Sequence, residues 1–200
     1  MFNHDPFPAM APPVLLTEND STVINNNFIA YTLTEAVKGQ TSRRVRVFAD
    51  GVYDLFHYGH MAFLRQIREA FPEATIVAGV VSDEDVLVFK GALPVLDAFQ
   101  RRRALEESGL VDEIWWMAPY YTTPEDLDGK QIDFIAHDTL PYPMPGCSDF
   151  YTPFRKADRF FETRRAEGIS TTDIINRILG NAHMYGDRRG IACLPSPGSD

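Results

Sequence analysis

The sequence predicts an α/β fold, a parallel β-sheet flanked by helices, and three observations carry that prediction. From Arg43 onward, short apolar strands alternate with helical stripes. Polar residues, Asp50, the Ser82-Asp83 pair and the His137-Asp138 pair, fall just after the carboxyl ends of predicted strands, where such sheets bind their ligands. The segment Val47-Phe-Ala-Asp-Gly-Val-Tyr-Asp-Leu-Phe-His-Tyr-Gly-His60 reads as a strand, a tight turn and a helix that begins at a His-x-Gly-His pair.

Residues 1–42 are rich in Pro, Asn, Thr and Ser, with weak apolar patches at Val14 to Leu16 and Phe28 to Thr32, and are expected to be a largely disordered arm. Val45, Val47 and Ala49 then alternate with Arg44, Arg46 and Phe48, the two-residue period of a strand, and Asp50-Gly51 ends it. From Gly59 the spacing becomes Met61, Leu64, Ile67, Phe71, a helical stripe stopped by Pro72. Thr75 to Val81 is a buried strand, 97–109 a helix, Glu113 to Met117 a strand and Asp133 to His137 another. Ser170 followed three residues later by Asp173 is a capping-box arrangement that opens a last helix, which the stripe Ile174, Ile175, Ile178, Leu179 is expected to anchor to the core. Beyond Ile178 the chain is short, polar and broken by Gly180, Gly186, Gly190, Pro195, Pro197 and Gly198, so no amphipathic membrane-binding helix is expected there.

Composition narrows the function. At 200 residues and 44% hydrophobic content, one core and one domain are expected. A net charge of −9 and a pI near 5.0 exclude the broad basic face that nucleic-acid binding requires, while leaving room for a local basic pocket. Two cysteines, Cys147 and Cys193, are too few for a disulfide framework or a zinc site and fit a reducing, cytoplasmic setting. The N-terminus lacks a charged signal region, and no segment approaches the length of a membrane span.

The chemistry begins at the helix entrance. A helix N-terminus offers unpaired N–H groups and a partial positive charge, Gly59 lets an anion approach the backbone, and His57 and His60 point the same way from the first turn to donate to phosphate oxygens. Two solvent-facing histidines at a structural helix start remain the alternative at this point. A second anion site is indicated at Ser170, Thr171 and Thr172, with Arg164 and Arg165 just upstream.

Taken together, RVFADGVYDLFHYGH, VVSDE, FKG, VDEI, IDFIAHD, PY and EGISTTDII resemble the cytidylyltransferase family of the HxGH nucleotidyltransferases, over roughly residues 43–180. The resemblance implies a Rossmann-like nucleotidyltransferase fold with a catalytic domain over 43–182, the N-terminal arm before it and a flexible tail over 183–200. It implies transfer of CMP from CTP to phosphocholine, in which an acceptor phosphate oxygen attacks the α-phosphorus in line and pyrophosphate leaves. His57, His60, Lys90 and Arg165 take the catalytic positions. Gly59, His137, Asp138, Gly168, Ile169, Ser170, Thr171 and Thr172 fall at the CTP positions, and Arg101 aligns with a further CTP-contacting arginine. Asp50, Tyr120, Tyr142 and Tyr151 fall at the phosphocholine positions, where a quaternary ammonium that donates no hydrogen bond is held by aromatic faces and a carboxylate. Magnesium is expected to accompany CTP, with no metal-ligating residues assigned in the chain. A homodimer is also implied, with the histidine motif and the Arg43 to Asp50 strand near the interface.

Some residues depart from the choline-phosphate pattern. Tyr120 stands where those enzymes have tryptophan, and Ala118 to Thr123 and Tyr58 resemble the ethanolamine-phosphate members, whereas Ala136 to Tyr142 and Glu167 to Ser170 resemble the choline-phosphate ones. Ala166 replaces a threonine beside the phosphate site. An ethanolamine-phosphate enzyme, an adenylyltransferase of the same superfamily and an inactive nucleotide-binding paralogue are the alternatives.

Overall fold

Strands with apolar runs such as Val47-Phe-Ala49 and Ile76-Val-Ala-Gly-Val80 need cover on both faces, and that requirement shapes the molecule. The computed structural model describes residues 12–17, 27–144 and 146–186. In chain order its elements are β1 (Val14–Leu16), α1 (Leu33–Val37), β2 (Arg46–Ala49), α2 (Tyr58–Ala70), β3 (Thr75–Val80), α3 (Asp83–Lys90), α4 (Ala98–Ser108), β4 (Glu113–Trp116), α5 (Pro124–Gly129), β5 (Phe134–Asp138), α6 (Thr152–Lys156), β6 (Phe160–Thr163), α7 (Thr171–Gly180) and α8 (Ala182–Gly186). The strands form one sheet, every pair parallel, in the order β1-β4-β3-β2-β5-β6. This is the expected Rossmann-like arrangement, and its order reverses at β2, which lies between β3 and β5.

The core is split by the sheet. Val47, Ala49, Ile76, Ala78 and Val80 face Leu64 and Ile67 of α2 and Leu105 of α4, while Phe48, Val77 and Ile135 face Leu127, Phe150 and Phe154 on the other side. Gly79, in the middle of β3, leaves room for Phe48: a Cβ there would meet the Phe48 ring at 2.6 Å. The predicted strands and the two predicted long helices lie within a few residues of their expected bounds. Four elements over 83–163 had no periodic signature: α3, α5 and α6 are too short for one, and β6 is four residues long.

The arm expected to be largely disordered contributes two ordered pieces. Val14–Leu16 pairs with β4 at the sheet edge, and Thr32 with Glu35 forms a capping box that opens α1. Buried Asp133 organises this region, because its carboxylate accepts from Arg43 (2.6 and 2.8 Å), the Tyr31 N–H (2.9 Å) and the Arg46 N–H (2.8 Å). Residues 1–11 and 18–26 of that arm, and 187–200 of the expected tail, lie outside the described residues.

One expectation fails at the C-terminal end. The α7 stripe does not anchor into the core: no residue of α7 is buried, Ile174 and Ile175 are only partly covered, and Ile178 and Leu179 are exposed. The helix is held instead at its first residue, where the Thr171 hydroxyl donates to the Asp54 carbonyl (2.8 Å). An amphipathic pattern shows which face is apolar and not what covers it.

Candidate active site

The site lies where the sheet order reverses, at the carboxyl ends of β2 and β5. The chain leaves β2 through Asp50-Gly51 into a strained turn in which Tyr53 and Leu55 both take positive φ (+59° and +48°). Such backbone persists where its surroundings hold it. Here the buried Tyr53 hydroxyl donates to the Ala49 carbonyl (2.8 Å), and the buried Asp54 carboxylate accepts from the Val95 and Leu96 amides (2.8 and 2.9 Å). Asp54 therefore ties the turn to the loop that follows Lys90, while its carbonyl holds Thr171.

The two motif histidines make a reciprocal cap. His57 is the N-cap of α2 and its Nδ1 accepts from the Gly59 N–H (3.1 Å); His60 is the third helical residue and its Nδ1 accepts from the His57 N–H (3.3 Å). The rings stack at a centroid distance of 3.9 Å, and Phe56 also stacks with His60, at 5.5 Å. With each Nδ1 occupied as an acceptor, each proton resides on Nε2, so both rings present a donor. Burial, reinforced by the charges of His57 and Lys90, lowers the His60 pKa to about 3, and burial with the nearby Arg165 charge lowers that of His57. The pair is neutral at pH 7 and donates as imidazole.

Gly59 has a specific task. A Cβ at this position would lie 2.9 Å from Cε1 of His57 and 3.3 Å from a methyl of Ile169, so only glycine lets the imidazole fold over the helix start with the 169 loop beside it.

The remaining cations converge on the same cleft. Lys90 ends α3 just before Gly91, whose φ of +77° turns the chain away. Lys90 is an exposed residue whose side chain lines the neighbouring cavity, where desolvation lowers its pKa, with Asp50 and Asp54 acting in the opposite direction. Arg165 is exposed, and its Nη1 lies 3.9 Å from Asp138 at the end of β5. Its loop is fastened to α2 by Gln66, whose side-chain amide donates to the Arg164 carbonyl (2.9 Å) and accepts from the Arg164 N–H (2.8 Å). Gly168 takes a φ of +72° and leads to Ser170, which caps α7 by accepting from the Asp173 N–H (3.0 Å). The Gly168 to Thr172 segment thus meets the histidine turn through Ile169 and Thr171.

Beside this cationic cleft is a cavity of about 60 Å³. Asp50, Tyr120, Tyr142 and Tyr151, named from sequence, all line it, and Lys90 and His137 reach it too. The buried Tyr151 hydroxyl donates to Asp50 (2.6 Å), and the Tyr120 and Tyr142 hydroxyls are bonded at 2.5 Å. Burial, with the nearby Asp50 charge and the bond to it, pushes the Tyr151 hydroxyl far up; burial and the bond to Tyr142 do the same for Tyr120, so both stay protonated. His137, expected at the CTP side, stacks on Tyr151 at 4.7 Å and forms part of the cavity wall. Tyr121 and Phe150 complete the aromatic lining; Tyr121 lies in the Ala118 to Thr123 run without an assigned role, and Phe89, stacked on Tyr120 at 4.8 Å, is visible only as the neighbour of Lys90.

Arg101 is not brought to the cleft. It is fully buried and commits four of its five N–H donors, to the carbonyls of Leu96, Val52 and Val81 and to Asp83 (2.6 Å), so its guanidinium is used inside the fold. Ser82 and Asp83 are likewise structural, the one capping α3 and the other pairing with Arg101.

Comparison with known proteins supplies the context. A family model described as cytidylyltransferase-like matches residues 48–177. Choline-phosphate cytidylyltransferase A of Rattus norvegicus is 42% identical over 162 residues, 80% of this chain and 44% of its own. Ethanolamine-phosphate cytidylyltransferase of Arabidopsis thaliana is 40% identical over 139 residues, 68% of this chain and 32% of its own. The crystal structure of a macrolide-efflux protein from Streptococcus pneumoniae superposes with a TM-score of 0.52 at 15% identity, covering 88% of this chain and 69% of the other, a likeness of fold alone. The chain spans less than half the length of these curated relatives.

Proposed function

This chain belongs to the cytidylyltransferase-like family, and on that premise we propose that it transfers CMP from CTP to phosphocholine, forming CDP-choline and pyrophosphate. The observation that carries the proposal is the placement of Lys90 on the boundary between two chemically distinct compartments, the cationic cleft of His57, His60 and Arg165 and the aromatic cavity of Asp50, Tyr120, Tyr142 and Tyr151. An ammonium group that cannot donate hydrogen bonds suits tyrosine faces and a carboxylate. The 42% identity to a choline-phosphate enzyme supports the same acceptor.

In this reading the acceptor sits in the cavity with its phosphate toward Lys90. One of its oxygens bonds to the α-phosphorus of CTP as the bond to the bridging oxygen of pyrophosphate breaks. A phosphate is already a nucleophile at neutral pH, so catalysis rests on positioning and on donors aimed at the developing charge. The Nε2–H groups of His57 and His60 and the guanidinium of Arg165 face the triphosphate, and Lys90 is a point charge able to touch both phosphates. Ser170, Thr171 and Thr172 line the second anion site at the start of α7. Asp138, Gly168 and Ile169 belong to the nucleotide side of the same site.

Among the described residues no three His, Cys, Asp or Glu side chains gather to hold a metal ion. In this reading magnesium accompanies the triphosphate of CTP, the usual mode for this ion. A cytoplasmic setting and a homodimer belong to the same reading and rest on composition and family resemblance; among the described residues no helix is long and apolar enough to cross a membrane.

The second reading, phosphoethanolamine as acceptor, draws on the tyrosine at position 120 and on the Arabidopsis relative. Both are tested by supplying CTP and magnesium with each acceptor in parallel and measuring pyrophosphate. Faster release with phosphocholine is expected. Release with phosphoethanolamine alone transfers the function to the second reading, and no release with either leaves a nucleotide-binding protein without this chemistry.

A further inference from the structure

Tyr142 and Tyr151 face one cavity although they come from an irregular loop after β5 and from the residue before a five-residue helix. No sheet hydrogen bond reaches them, and the N-cap of α6 carries no side-chain cap bond. What holds both is one carboxylate. Oδ1 of Asp149 accepts from the Tyr142 N–H (3.2 Å) and from the Tyr151 N–H (3.2 Å), and the Phe150 N–H donates to the Tyr142 carbonyl (2.8 Å). The other oxygen faces the Nε of Arg155 (3.3 Å). Arg155 is fixed in turn, its guanidinium 3.7 Å over the Phe160 ring and 3.5 Å from Glu162.

We infer that Asp149 is the positioning residue of the acceptor cavity, setting the separation of Tyr142 and Tyr151 and so the enzyme's selectivity for its ammonium-bearing substrate. The inference rests on the activity proposed above. Asp149 does not line the cavity, so it acts through the two tyrosines. Its effect is carried outward by two hydroxyl bonds, Tyr151 to Asp50 and Tyr142 with Tyr120, because each needs its backbone in register. A carboxylate suits this role, since an ionised acceptor makes stronger bonds to backbone amides than a neutral one. The cationic cleft is built on other elements, α2, α3 and the start of α7, so loss of Asp149 falls on the acceptor and spares CTP.

The test is steady-state kinetics with phosphocholine and CTP varied separately. Asp149→Ala removes two amide bonds and is expected to raise the phosphocholine KM about tenfold while leaving the CTP KM within about twofold. Asp149→Asn keeps an oxygen for both amides and is expected to lie within about threefold of the parent. An unchanged phosphocholine KM in Asp149→Ala, an equal rise in both KM values, or an Asn variant as impaired as the Ala one overturns the inference. Should Asp149→Ala fail to fold, Asp149→Ser, whose short hydroxyl reaches at most one amide, is expected to give an intermediate rise, and a parental value would overturn the idea equally.

Failure of the activity itself reads differently, as no turnover by the parent protein. In that case calorimetric titration with phosphocholine alone decides: binding weakened about tenfold by Asp149→Ala supports the inference, and binding unchanged by the substitution, or absent from the parent, overturns it.

Discussion

His57 and His60 stack 3.9 Å apart, and each uses its Nδ1 to cap the helix from which it projects. Folding and catalysis therefore ask for the same protonation state. A proton on either Nδ1 would remove a cap bond while placing charge against Lys90 and Arg165.

This gives stability a pH dependence of known sign. His60 titrates at about 3 in the native protein, below the 6.5 of an ordinary histidine, so between those values the unfolded chain binds a proton that the folded one refuses. Stability then rises with pH across that window, at up to about 1.4 kcal/mol per pH unit from this group. Urea unfolding at pH 7, 6 and 5 is expected to show a shallower pH slope in His60→Gln than in the parent, and equal slopes would mean that His60 is charged in the fold.

Lys90 carries the largest expected catalytic effect of a single substitution. It is exposed at the end of α3 and makes no bond that the fold requires, so Lys90→Ala is expected to keep the parental Tm. Turnover is expected to fall about a hundredfold, roughly 3 kcal/mol of barrier. Near-normal pyrophosphate release by this variant would remove Lys90 from the mechanism.

Selectivity should respond to the aromatic wall at position 120. Indole offers a cation a stronger face than phenol, so Tyr120→Trp is expected to lower the KM for phosphocholine by several-fold, on the order of 1 kcal/mol, with little change for phosphoethanolamine. Loss of the hydroxyl bond to Tyr142 works against the gain, and Tyr142→Phe measures that cost separately. A parallel shift for both acceptors would show that ring area, and not the ammonium's methylation, sets the preference.

Arg101 tests the distinction between aligned and functional residues. Arg101→Met leaves three carbonyls and a carboxylate without their donor and is expected to cost about 3 kcal/mol in chemical denaturation. The CTP KM of the folded protein should remain close to parental. A selective rise in that KM would return Arg101 to the nucleotide site.

Much of this architecture is legible in the residues, and the boundary of legibility has a physical cause. The alternation around Val47, the stripe from Met61 to Phe71 and the strand after Thr75 are dictated by burial, which repeats along the chain. The His57, Gly59 and His60 cluster and the Ser170 cap are legible because helix starts use a small set of residue types. Asp54, Gln66 and Asp149 are invisible by either route, since each acts on backbone groups 7 to 98 residues distant, and any exposed-type polar residue looks the same in sequence. The apolar stripe of α7 misleads for the converse reason: periodicity reports an apolar face whether or not the same chain covers it.

The two bonds between Gln66 and Arg164 have a mechanical consequence. They tie the histidine helix to the arginine loop across 98 residues of sequence, so these two walls of the cleft are joined to each other directly. The opposing wall, the Lys90 end of α3, is fastened separately: Gly91 turns the chain away in a left-handed conformation, and the loop beyond it is moored to Asp54 through two amides. A substitution at Gln66 would therefore loosen the arginine side of the cleft and leave the lysine side fixed.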